Sequence, residues 1–182
     1  MLKIHDGLFD KRYIDELSHK LVNSAWYADN VANRSSWPYG ESGTHRLLGH
    51  FVFNRLDNNR IKYSNDEFMV NSLTNAFEYV CNRLNKKLLL DQIACNLQFK
   101  DMDGTAHKDG NENQTVFILM LSNEHIIEDI GGEFIHIPSN STIKFKQGRL
   151  IEFTANELHL GKAFNVPNIC RFSIKFMGTN IN

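Results

Sequence analysis

From Lys87 onward the chain is built of seven short runs of strand-forming residues: LLLDQIACNLQF, TVFILMLS, GGEFIHIP, STIKFK, GRLIEFT, LHLGKAF and ICRFSIKFM. Glycine and asparagine separate them, as in the KQG turn at 146–148. Runs of this length, this close together, leave no room for the crossover helices that a parallel sheet needs. They predict an antiparallel barrel or sandwich.

The first half has a different period. In DKRYIDELSHKLV, Tyr13, Leu17 and Leu21 recur four apart with Ile14 beside them, and Asp10 stands where an N-cap belongs. In SNDEFMVNSLTNAFEYVCNRLN, Met69, Leu73, Ala76, Phe77, Val80 and Leu84 mark one helical face. Asn65, Asp66 and Glu67 suit the start of that helix. Two amphipathic helices and a set of strands predict a mainly β protein with flanking helices laid on one sheet. The expected organisation is a single domain over 1–182, helical over about 1–86 and β-rich over about 87–178. Between the helices, SAWYADNVANRSSWPYGESGTHRLLGH has no period and is long for a loop, a length often associated with function. Its Trp37, Tyr39, His45 and Arg46 fit a lid over a substrate or an aromatic plug on the core.

Composition narrows the function. Net charge is −1 with no basic run, which disfavours a nucleic-acid partner. No apolar stretch approaches the roughly 20 residues of a membrane span, and MLKIHDGLFD lacks a signal peptide's apolar core. Cys81, Cys95 and Cys170 lie within apolar patterns without a Cys-x-x-Cys pair. Buried reduced thiols and a cytoplasmic location are expected.

The last run carries the first chemical clue. Alternation puts Arg171, Ser173 and Lys175 on one face of ICRFSIKF and Phe172, Ile174 and Phe176 on the other. If the aromatic face meets the helices, the arginine points inward, and a buried guanidinium calls for an anion. Lys175 has the same parity but is expected nearer the mouth, in solvent. ELHLGKAFNVPNICRF reads as a hairpin about Asn165–Asn168, with Arg171 opposite Gly161 and two residues, roughly 7 Å, from the level of His159.

Upstream, GTAHKDGNENQT holds His107 and Asp109 two apart, pointing the same way on an extended chain. Two imidazoles and one carboxylate on one side of a metal leave neighbouring positions open, as in non-haem ferrous oxygenases. Zinc with three ligands and water is the competing assignment. The arginine favours iron, because it implies an anionic co-substrate. Iron(II) with Asp109 carries +1 and Arg171 adds +1, so a dicarboxylate would neutralise the site. His125 and His136 read as surface or core residues. Asn111–Asn113 follow the first ligands as a rim loop.

Together HKD (107–109), GGEFIHIP (131–138), GRLIEF (148–153), LHLG (158–161) and RFS (171–173) resemble the Fe(II)/2-oxoglutarate-dependent oxygenases, in particular their prolyl-4-hydroxylase-like branch. The spacings of 52 residues from His107 to His159 and 12 from His159 to Arg171 fit that family. The resemblance covers about 88–177. It implies a double-stranded β-helix, or jelly roll, with His107, Asp109 and His159 on Fe(II). It implies Arg171 on the far carboxylate of 2-oxoglutarate, with Ser173 adding a hydrogen bond, O2 as co-substrate and ascorbate as reductant. The retained Asp109 departs from the halogenases. Prolyl hydroxylases usually carry a tyrosine nine residues before the first histidine, where this chain has Gln98, and Asn96 competes for the same role. Some collagen-type enzymes use lysine in place of Arg171.

The activity implied is hydroxylation of a proline or another peptidyl residue. The alternatives are an oxygenase of a free amino acid or other small molecule, a nucleic-acid dealkylase, and a non-catalytic barrel that only binds metal or dicarboxylate. The resemblance is strongest around the cofactor, so the sequence leaves the prime substrate and the oligomeric state open.

Overall fold

Both predicted helices form where their caps and periods place them. The computed structural model describes residues 1–28, 47–56, 59–126 and 128–181. Helix α1 spans Lys11–Val22, and the Asp10 carboxylate accepts from the Tyr13 amide at 2.8 Å. Helix α2 spans Glu67–Arg83, with Asp66 accepting from the Met69 amide at 3.1 Å. Each cap satisfies an amide that the first helical turn leaves without a partner. The lid or plug residues Trp37, Tyr39, His45 and Arg46 lie outside the described residues.

Among the described residues ten strands make two sheets. They are β1 (Lys3–His5), β2 (Leu48–Arg55), β3 (Ile61–Tyr63), β4 (Leu88–Gln98), β5 (Gln114–Ser122), β6 (Phe134–His136), β7 (Ser141–Ile143), β8 (Leu150–Thr154), β9 (His159–Gly161) and β10 (Arg171–Asn180). The large sheet runs β1-β8-β5-β10-β4-β2-β3 and the small one β7-β6-β9, with every pairing antiparallel. This is the antiparallel sandwich that the short, closely spaced runs predict, in the jelly-roll form that the resemblance implies.

The first half is not wholly helical, as its period had suggested. It supplies β1, β2 and β3 to the large sheet. Strand β2 hides its alternation because a register shift against β4 falls between Phe51 and Phe53. A bulge of this kind breaks the period of two. Strands β1 and β3 are three-residue edges, too short to show a period.

The large sheet separates two apolar layers. On its outer face Ile93, Cys95 and Leu97 of β4, Phe117, Leu119 and Leu121 of β5, and Phe172, Ile174 and Phe176 of β10 pack with Ile14, Leu17 and Leu21 of α1 and Leu73, Phe77 and Val80 of α2. Each fully buried side chain of this size contributes roughly 1.5–3 kcal/mol. On the inner face Val116, Ile118 and Met120 meet Phe134, Ile143 and Phe153 between the sheets. All three cysteines are free and buried. No helix among the described residues is long and apolar enough to cross a membrane.

The hairpin expected between β9 and β10 does not form. Strand β9 pairs with β6 in the small sheet, and β10 lies between β5 and β4 in the large one. The segment joining them crosses from one sheet to the other, held by the Gly132 amide on the Ala163 carbonyl (3.0 Å) and the Asn165 amide on the Ile130 carbonyl (2.7 Å). Arg171 still reaches the level of Gly161, but across the sandwich rather than along a ladder.

At the sheet's edge Glu152 is 4% exposed. It accepts from Lys86 Nζ at 2.6 Å, His5 Nε2 at 2.9 Å and Lys3 Nζ at 3.5 Å, tying β1 to β8. Burial pushes its pKa up, but the Lys86 and His5 hydrogen bonds and the lysine charges outweigh burial and hold it below the ordinary value. Its folded-state pKa is therefore depressed. The associated stability is present above the unfolded carboxylate pKa and fades as pH falls through the folded one. Glu152→Gln should cost about 2 kcal/mol at neutral pH, and the cost should shrink on acidification. Urea melts of both proteins at several pH values check this.

Candidate active site

The two sheets enclose a cavity whose walls carry chemistry on three sides. Gln92, Ala94, Asn96 and Gln98 of β4 and Arg171, Ser173 and Lys175 of β10 line it from the large sheet. Phe134, His159 and Gly161 close it from the small sheet, and His107 and Asp109 from the segment before β5. The ladder sets the polar strip: Arg171 faces Gln98, Ser173 faces Asn96 and Lys175 faces Ala94.

His107 and Asp109 do not lie on a regular strand. A single antiparallel bridge joins His107 to His159, with amide–carbonyl distances of 3.0 Å in both directions. The Asp109 and Gly110 amides both donate to the Ala155 carbonyl. These backbone bonds bring the three side chains together, and one donor atom from each of His107, Asp109 and His159 lies within 4.8 Å of the others.

The hydrogen bonds around the imidazoles fix their roles. His107 Nδ1 lies 2.9 Å from the Thr105 carbonyl, and His159 Nδ1 lies 2.9 Å from the Glu157 carbonyl. A carbonyl only accepts, so each Nδ1 carries the proton and each Nε2 keeps a lone pair. Those Nε2 atoms lie beside the carboxylate, His159 at 3.4 Å from Asp109 Oδ2 and His107 at 3.8 Å from Oδ1. Burial, then the neighbouring His159, pushes the His107 pKa down and favours the neutral ring. For Asp109 burial pushes the pKa up, but the Lys175 ammonium beside it outweighs burial and holds the group well below the usual carboxylate range.

Among the described residues Asp109 Oδ2 is buried without a hydrogen-bond partner. A carboxylate oxygen left bare in the interior costs free energy unless something cationic completes it. Two lone-pair nitrogens and one bare oxygen converging on a point fit a divalent metal ion.

Arg171 is the second element. It is 2% exposed, and its partners are neutral: Nε donates to the Gly132 carbonyl at 3.0 Å and Nη1 to Gln98 Oε1 at 2.6 Å. Among the described residues no carboxylate lies within ion-pair distance of it. Burial lowers its pKa to about 10, partly offset by the charge of Glu133. Even so it stays protonated near neutral pH, an interior cation that can receive an anion. Two glycines make room. Gly132 has φ of +81°, and a Cβ there would strike the Phe164 ring at 2.3 Å. A Cβ on Gly161 would stand 3.2 Å from Arg171 Nη1.

Gln98 and Asn96 both line the cavity. The Gln98 oxygen is committed to Arg171, and its amide donates to the Met102 and Gly161 carbonyls. Lys175 differs from expectation. It is 6% exposed, and its Nζ lies 2.7 Å from Asp109 Oδ1, not in solvent at the mouth. Its parity with Arg171 was the available signal. His136 lies in the interior as expected, between Ser139 and Glu157 and away from the cavity.

The sequence matches no family model and no curated protein. The structure is informative. An oxidoreductase of the 2OG-Fe(II) oxygenase family from Burkholderia pseudomallei matches with a TM-score of 0.71 and 14% identity, over 100% of this chain and 88% of that one. This chain has the fold of the 2-oxoglutarate/Fe(II) oxygenases. A Trichoplax adhaerens prolyl hydroxylase, in complex with a hypoxia-inducible-factor oxygen degradation domain peptide fragment, matches that oxygenase fold with a TM-score of 0.69 at 12% identity, over 98% and 83%. Streptomyces hygroscopicus HygX, bound to nickel, 2-oxoglutarate and hygromycin B, matches with 0.63 at 11%, over 98% and 82%.

If the three groups on this oxygenase fold hold a divalent ion, Mn(II) should raise the melting temperature. At a hundredfold excess over Kd the stabilisation should be about 2.7 kcal/mol. His107→Ala and Asp109→Ala should erase it in scanning calorimetry.

Proposed function

We propose that this chain is an Fe(II)- and 2-oxoglutarate-dependent dioxygenase that hydroxylates a C–H bond, most closely in the manner of a prolyl 4-hydroxylase acting on a peptidyl residue. One observation carries the reading. A bare carboxylate oxygen flanked by two lone-pair imidazole nitrogens shares a cavity with a buried guanidinium that has no carboxylate partner among the described residues. The first set suits a metal and the second suits the far carboxylate of a diacid, so one cavity offers both ends of a 2-oxoglutarate site.

Each residue then has a defined task. His107, Asp109 and His159 would hold Fe(II), which when bound supplies the coupling of 2-oxoglutarate decarboxylation to oxidation of the substrate by O2. Arg171 would clasp the far carboxylate, with Ser173 beside it as a further donor. Gln98 would hold Arg171 in place through Nη1 instead of reaching the diacid, and Asn96 remains available on the same wall. Phe134 and Ile118 would limit water at the reacting end. The whole chain, 1–182, would act as one oxygenase domain. Three free buried thiols support a cytoplasmic setting.

The fold neighbours support two substrate classes. The Trichoplax enzyme binds a peptide fragment, which favours a peptidyl target. HygX binds hygromycin B, which keeps a small-molecule target as the second reading.

Succinate formation from 2-oxoglutarate, dependent on O2 and added Fe(II), tests the class. Wild type should turn over slowly without prime substrate, and His107→Ala should not turn over. Equal succinate from that variant would remove the metal assignment. Arg171→Ala should raise the 2-oxoglutarate concentration needed for half-maximal rate by about 100-fold, since a charge-assisted bidentate pair is worth roughly 3 kcal/mol. An unchanged requirement would place the diacid elsewhere. Incubation with proline-containing peptides, free amino acids and alkylated oligonucleotides should give a mass gain of about 16 Da on the peptide, as insertion of one oxygen requires. A gain on the amino acid alone would favour the second reading.

A further inference from the structure

Lys175 is the interior cation that the roles above leave unused. Its Nζ donates to Asp109 Oδ1 at 2.7 Å, and both side chains are almost completely removed from solvent. Among the described residues Asp109 is its one acidic partner. Ala94 and Ile118 flank it on the neighbouring strands and offer no side-chain acceptor. A buried ammonium is costly, so this side chain is held where its charge is met. The carboxylate is thereby divided: Oδ1 is capped by Lys175, and Oδ2, 3.4 Å from His159 Nε2, has no hydrogen-bond partner among the described residues.

We propose that Lys175 is a positioning residue that restricts Asp109 to binding the metal through one oxygen. The inference rests on the oxygenase reading of the site. Coordination arithmetic gives it consequence. Two imidazoles, one carboxylate oxygen and a chelating keto acid fill five of the six positions of an octahedral ion, leaving one open. Were Asp109 to bind through both oxygens, it would fill the sixth. Lys175 also places a positive charge next to the ion. It therefore weakens metal binding while keeping the site usable, so affinity and turnover should move in opposite directions when it is removed.

The test uses the full chain and two variants. Lys175→Met removes donor and charge at similar length. Lys175→Gln removes the charge and keeps an N–H donor for Oδ1. Binding of Mn(II) without co-substrate is measured by electron paramagnetic resonance, and succinate formation is measured separately with Fe(II). Lys175→Met should bind Mn(II) at least about tenfold more tightly, because a like charge is lost at short range and a second oxygen is freed. Its succinate formation should fall at least tenfold. Lys175→Gln should also bind Mn(II) more tightly but retain more succinate formation than Lys175→Met. Mn(II) binding that weakens or stays unchanged in both variants overturns the proposal, as does turnover at the wild-type rate in Lys175→Met. If Lys175→Met does not fold, Lys175→Leu, which also removes donor and charge, takes its place: tighter Mn(II) with reduced succinate formation supports the proposal, and unchanged or weaker Mn(II) overturns it. A wild-type protein that binds no Mn(II) and forms no succinate overturns the oxygenase reading and this proposal with it. A wild type active in both assays, with variants that match it, overturns only the role of Lys175.

Discussion

The guanidinium of Arg171 sits in the interior with neutral partners only among the described residues, and much of the surrounding structure exists to hold it there. Two of its N–H groups are met by a carbonyl and an amide oxygen, Gly132 and Gln98. These satisfy hydrogen bonds without cancelling charge. A carboxylate in either place would have cancelled the charge and closed the candidate anion site. Gly131 and Gly132 adopt positive φ, so the chain can turn beneath the Phe164 ring and offer a carbonyl to the arginine. Gly161 leaves the space beside it. Local backbone freedom, one amide and one charge make a single unit.

Strand β10 links that unit to the rest of the fold. One face supplies Phe172, Ile174 and Phe176 to the helix-covered layer, and the other supplies Arg171, Ser173 and Lys175 to the cavity. The strand is central in the large sheet, paired on both edges, so its register is fixed twice. A slip of one residue would turn three cationic or polar side chains into the apolar layer and three large apolar ones into the cavity. The apolar burial that stabilises the sheet therefore also aims the side chains of the candidate site.

The two halves of the candidate site were legible to different degrees. Alternation along ICRFSIKFM was enough to separate the faces of β10, and the caps at Asp10 and Asp66 marked both helices. The strands of the first half were not legible. The register shift in β2 destroys its period, and β1 and β3 are too short to have one. The reading of 157–172 as a hairpin was wrong in mechanism and right in neighbourhood. Local pattern cannot distinguish a turn that returns to its own ladder from a crossover that delivers the next strand to the facing sheet. Lys175 was misplaced for a related reason: parity says which face a side chain takes, and only the partner across the cavity says whether it meets solvent or a carboxylate.

The sequence alone determined the class of architecture, the two faces of the last strand, and the candidate residues for a metal and an anion. These depend on periods of 2 and 3.6 residues and on side-chain chemistry, which a linear string records. Tertiary structure decided which strands became neighbours, that His107 and His159 bridge through their backbones, and that one oxygen of Asp109 is capped while the other stays bare. Those outcomes depend on contacts between segments tens of residues apart. The free energy of such contacts comes from burial and pairing in space, and no local period encodes it.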